Sequence, residues 1–111
     1  MDKLTQYRHL IQKLLTEYAA IPYSYGDLEY KLIISQDCNS FVLMTMGWEN
    51  GARVHGCLIH IDILDDKIWI HRDGTEDGIA GELLAAGVPK EKIVLGFYHP
   101  ETRELTEFAV S

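Results

Sequence analysis

His60, Asp62, Trp69 and His71 come nearest to a chemical site in this chain. His60 and Asp62 stand two residues apart, as do Trp69 and His71, so two neighbouring strands would turn all four side chains to one side. Two imidazoles and a carboxylate on one surface are donors suited to Zn²⁺ or Fe²⁺, and metal-dependent hydrolysis is the chemistry that would follow. The same residues also make ordinary cross-strand pairs. No HxxxH or HExxH spacing favours a metal, so packing is the better reading and no cofactor is expected. His55 has the opposite parity and does not join them.

Other candidates are weaker. Arg72-Asp73-Gly74-Thr75-Glu76 has the look of a loop that could hold an anion at a helix N-terminus. Glu76 and Asp77 put negative charge at that same end, and neither a phosphate-loop lysine nor a dinucleotide glycine pattern is present. Asp73 followed by Glu76 reads better as a capping box, with Thr75 as an alternative cap. Ser24, Ser35, Ser40 and Thr75 sit in no nucleophile elbow, and Cys57 beside Gly56 lacks an activating signature. Asp65-Asp66 and Glu76-Asp77 are explained as turn and cap. The residues make no positive case for an enzyme.

The elements that must position these residues are legible in the hydropathy pattern. Leu4, Tyr7, Leu10, Ile11, Leu14, Leu15 and Tyr18 make one apolar stripe, predicting a helix over 2–20 that Pro22 stops before the loop Tyr23-Ser24-Tyr25-Gly26. Strands are predicted over 28–35, 40–48, 52–64 and 67–72. They are joined by turns at Gln36-Asp37-Cys38-Asn39, Asn50-Gly51 and Asp65-Asp66, and Gly56 marks a candidate bend or bulge. A two-residue turn at Asp65-Asp66 sets Leu64 opposite Lys67, Asp62 opposite Trp69 and His60 opposite His71. Ile59, Ile61, Ile63, Ile68 and Ile70 then share the other face, which is core. Four strands joined by short turns predict an antiparallel meander with the N-terminal helix on one face.

A second, shorter helix follows Asp73-Gly74 with Ile79, Leu83 and Leu84 inward and Gly87 as its left-handed stop. Pro89 can open one short turn, 93–98 reads as a strand or extended segment, and 101–111 as a last strand or a partner-binding arm. The expected fold is α+β: about four to five antiparallel strands with a long N-terminal helix and a shorter helix on one face.

Composition narrows the function classes. The 111 residues suffice for one domain, 1–111. No apolar run reaches the roughly 18 residues of a spanning helix and the N-terminus is not a signal sequence, so a cytoplasmic protein is expected. Cys38 and Cys57 are the only cysteines and are expected as free thiols. The net charge is −7 and the ten basic residues are scattered, whereas a nucleic-acid surface concentrates them. Direct DNA binding is disfavoured. A tryptophan on a polar face often anchors an interface, so Trp69, flanked by His60, His71 and Arg72, is the candidate partner-binding surface, for self-association as a homodimer or for another protein.

Long idiosyncratic strings carry a resemblance across the chain: the helix around Tyr7-Arg8, Pro22-Tyr23-Ser24-Tyr25-Gly26, GCLIHIDI, KIWIHRDGTEDGIA, GVPKEKIVLGF and the closing Phe108-Ala109-Val110-Ser111. In these it resembles the XisI family, known for the excision controlling factor of a cyanobacterial DNA element. The resemblance implies a small cytoplasmic α+β domain that assists programmed excision in heterocyst development, while a separate site-specific recombinase breaks and joins the strands. It also implies a XisH-like, nuclease-like partner. It supplies no established catalytic residues to carry over. The residues and the resemblance together predict a non-catalytic module that docks on that nuclease or on the recombinase. The alternative is direct DNA binding through a local patch such as Arg53 with Arg72; a metal hydrolase built on His60, Asp62 and His71 ranks below both.

Overall fold

The computed structural model describes residues 2–21 and 27–111. The loop expected over 22–26 lies outside them. Helix α1 spans Lys3–Ala19. Asp2 caps it, its carboxylate accepting from Thr5 N at 2.8 Å, and those bonds hold the Asp2 carboxyl below its ordinary range. Tyr7, Ile11 and Leu15, spaced four apart, are its buried face.

Four strands follow: β1 Asp27–Ile34, β2 Ser40–Glu49, β3 Ala52–Leu64 and β4 Lys67–Asp73, each antiparallel to the one before. Both tight hairpins turn on consecutive positive-φ residues, Asn50-Gly51 and Asp65-Asp66. That left-handed pair is the turn whose twist matches right-twisted strands. At the wider β1–β2 connection, Asp37 accepts from Ser35 Oγ and Asn39 N. These bonds lower its carboxyl's pKa. A bulge interrupts the β2–β3 ladder beside Leu58, where Leu43 pairs with Ile59 but Met44 with Cys57. Gly56, the expected irregularity, pairs in register with Thr45.

Helix α2, Ile79–Ala85, starts later than the sequence suggests. Glu76 and Asp77 precede it rather than filling its first turn, so the capping box does not form. Asp73 still fastens the helix start, accepting from Ile79 N at 2.7 Å and from Thr75 N at 3.0 Å. Gly87 ends the helix at φ +101°, with Gly87 N donating to Leu84 O and Val88 N to Leu83 O, a left-handed stop that satisfies two orphan carbonyls.

A single 3-10 turn at Lys90–Lys92 leads into β5, Ile93–Leu95, which lies parallel to β4. The sheet is therefore mixed, in the order β1-β2-β3-β4-β5. The tail is not a last strand. Pro100–Arg103 forms helix α3, capped by His99, and beyond it only Ala109 bridges to Val94. Proline favours the first turn of a helix, where its missing N–H costs nothing, and that preference overrides the weak alternation of the tail.

The core lies between one sheet face and helices α1 and α2. Phe41, Leu43, Ile59, Ile61, Ile68 and Ile70 are essentially inaccessible there, packed with Ile11, Leu15 and Leu83.

Candidate functional site

The opposite face of the sheet carries the residues singled out for chemistry. Residues directly opposite on neighbouring strands share a face, so Ser40, Asp62, Trp69 and Val94 form one row across β2 to β5. The expected pairs Leu64–Lys67 and Asp62–Trp69 are present. The expected pair His60–His71 is not: the register shifts between His60 and Ile61, so His60 faces Arg72 and His71 is the extra residue of a bulge. Bulges bend a strand and re-aim its side chains. Here the ring of His71 still comes within 5.0 Å of the ring of His60.

Both rings meet one carboxylate. His60 Nε2 lies 3.1 Å from Asp62 Oδ1, and His71 Nε2 lies 3.2 Å from Asp62 Oδ2. The three side chains are 38%, 32% and 21% exposed for His60, His71 and Asp62. Each ring nitrogen therefore addresses its own carboxylate oxygen. A metal needs ligand atoms about 2.0–2.2 Å from one common point, and among the described residues no group of three His, Cys, Asp or Glu is arranged to hold one. What the geometry offers is a carboxylate that orients two imidazoles. Among the described residues no serine or cysteine is hydrogen-bonded to either ring. Cys57 instead turns its thiol to Ile59 O at 3.4 Å, and burial pushes that thiol up against a weaker opposing pull from Arg72.

Trp69 is half-buried rather than displayed. Its indole stacks on His71 with ring centroids 6.0 Å apart, and the guanidinium of Arg103 lies 5.2 Å from the ring. Arg103 also donates to Tyr98 O at 2.9 Å, to Val110 O at 3.3 Å and to Gly96 O at 3.4 Å. One side chain thus ties three points of the C-terminal segment down over the tryptophan. The indole Nε1 is buried with no hydrogen-bond partner among the described residues. Val94, also fully buried, pairs with Trp69 across β4 and β5 and stands outside the main core cluster.

Gly96 makes the close crossing possible. A Cβ there would stand 3.1 Å from His71 Nδ1, 3.2 Å from Ile70 O and 3.3 Å from Trp69 Cε3. Arg103 and Gly96 are the site residues that sequence reasoning missed. Gly96, between the buried run 93–95 and two aromatics, carried a faint signal of close backbone approach; nothing in the sequence marked Arg103.

The remaining candidates are placed as follows. Arg72 donates to Cys57 O at 3.2 Å across the β3–β4 ladder. Arg53 lies over the exposed Trp48 ring at 5.5 Å and donates to Gly47 O. His55 is exposed at the far end of β3. Cys38 and Cys57 are free thiols. No helix among the described residues is long and apolar enough to cross a membrane.

Comparison with known proteins gives concordant results. The family described as XisI protein matches residues 1–110. A solved XisI-like protein from Anabaena variabilis ATCC 29413 is 41% identical, with a TM-score of 0.88 over 97% of this chain and 99% of that one. A second structure, described as the fdxN element excision controlling factor XisI from the same organism, is 40% identical, with a TM-score of 0.84 over 99% of this chain and 100% of that one. No curated protein matches. With a family match over nearly its whole length and two relatives of the same fold above a third identity, this chain belongs to the XisI family.

Proposed function

We propose that this chain is a non-catalytic controlling factor for excision of a DNA element, acting by docking on a XisH-like nuclease or on the site-specific recombinase. Excision control follows from kinship, since the relative it matches over its full length is described as such a factor. The choice of a protein over DNA as its target rests on one observation. Six of the ten basic side chains are already engaged within the chain: Arg8 on Asn39, Arg53 on Gly47, Lys67 on Ser111, Arg72 on Cys57, Lys90 on Glu107 and Arg103 on the tail carbonyls. A DNA surface needs several cations offered together to phosphates, and this chain engages six of its ten cations internally, four of them on its own backbone carbonyls.

The absence of catalysis is part of the proposal. The His60–Asp62–His71 cluster orients imidazoles, and among the described residues no serine or cysteine is hydrogen-bonded to either ring, which supports a structural role. The test is co-purification of tagged protein with the co-encoded XisH-like protein and with the recombinase, beside gel retardation of element ends at low salt. Capture of either protein without retardation is the expected result. Retardation that weakens steeply with salt, with no protein captured, would replace this reading by direct DNA binding.

A further inference from the structure

A groove opens between the C-terminal end of α1 and the segment that enters α2, with a volume of about 380 Å³. It lies within the roughly 300–1,000 Å³ range of pockets that seat a ligand. Leu14, Tyr18 and Ile21 supply apolar lining, and Ile21 is left 54% exposed. Glu17, Glu76, Asp77 and Glu82 stand around it, all exposed, and no Lys, Arg or His is among the described residues that line it. The carboxylates come from two helices and the loop before α2, so the fold gathers them from positions up to 65 apart in the chain.

We infer that this groove is the docking site for a basic amphipathic segment of the protein partner, with apolar side chains seated against Leu14 and Ile21 and lysines or arginines meeting the four carboxylates. The inference rests on the docking reading above and names its surface. Charge complementarity selects the occupant. An anion would face four like charges, and a neutral apolar segment would leave the carboxylates crowded without a counter-charge. Proteins that hold DNA carry clustered lysines and arginines for its phosphates, which supplies the cationic half of such a segment. The histidine face fits less well, because the C-terminal segment already covers Trp69 there.

The test compares two charge reversals of equal size. Glu17→Lys with Glu76→Lys alters the groove; Glu49→Lys with Glu104→Lys changes exposed acids elsewhere by the same amount. A synthetic amphipathic lysine–leucine peptide is titrated against each protein by fluorescence anisotropy at low salt. The groove pair is expected to weaken binding about tenfold or more and the remote pair less than about twofold. Equal weakening by both pairs, or no binding to the unaltered chain, overturns the groove as a site.

The same proteins are then used to capture the XisH-like protein and the recombinase. Loss with the groove pair alone supports partner docking here. Capture that survives it overturns this groove as the partner's seat while leaving the docking module intact. An unaltered chain that binds the peptide but captures neither protein overturns the docking reading, and with it the partner as occupant.

Discussion

Ile61 and Asp62 are neighbours in β3, yet they live on two faces held by different forces. Ile61 is 0% exposed, sealed with four other isoleucines of β3 and β4 under α1 and α2. Its face is held by volume: apolar area removed from water and close packing, which tolerate no gap. Asp62 is partly wet and meets two histidines, and beyond it Trp69 is covered by a segment that returns from the far end of the chain. That face is held by directed contacts of a few side chains. The first face is closed by many apolar contacts; the second is closed over Trp69 chiefly by one arginine.

The sharpest way to probe this contrast is to damage each face in turn. Ile61→Ala should cost about 3 kcal/mol in urea denaturation, because a buried isoleucine loses both its transfer energy and its packing. A loss below about 1 kcal/mol would mean that the core face collapses around the gap and is not held by volume. Arg103→Ala comes next, at about 1–2 kcal/mol, since it removes three hydrogen bonds and the cation over Trp69 together. Limited proteolysis should then cut after residue 96 while the rest of the chain resists. Unchanged resistance would show that the tail is held by its other contacts.

Asp62→Ala should cost about 1 kcal/mol at neutral pH by the same denaturation, because two ring nitrogens lose their facing oxygens at a site where water can partly replace them. A loss as large as that of Ile61→Ala would erase the distinction between the faces. The smallest effect is kinetic. Burial raises the pKa of the Cys57 thiol, so less of it is thiolate at a given pH, and its alkylation should need higher pH and lag behind that of the exposed Cys38. Equal rates at pH 8, followed by peptide mass spectrometry, would show that the margin of the open face opens freely.

Much of the scaffold was legible because its signals are local. The apolar stripe of α1, the alternation in β3 and β4, and the turns at Asn50-Gly51 and Asp65-Asp66 each follow from a few adjacent residues, and the structure keeps them within a residue or two. The site was legible in part. Period-two alternation put His60, Asp62, Trp69 and His71 on one face, but it could not see the bulge that makes His71 an extra residue, because alternation assumes one residue opposite one and a bulge sets two against one. Nor could it see the delayed start of α2, where Asp73 reaches six residues along the chain to Ile79 rather than three to Glu76.

By itself the sequence determined an acidic α+β chain, its strand faces and turns, and its kinship, since periodicity, turn chemistry and residue identity are properties of short windows. Only the tertiary structure decided that β5 runs parallel to β4, that Arg103 closes the tail over Trp69, and that carboxylates from α1 and from the approach to α2 share one groove. Each of these joins residues far apart in the chain. Their free energy exists only once the core has brought them together, and no local pattern encodes it.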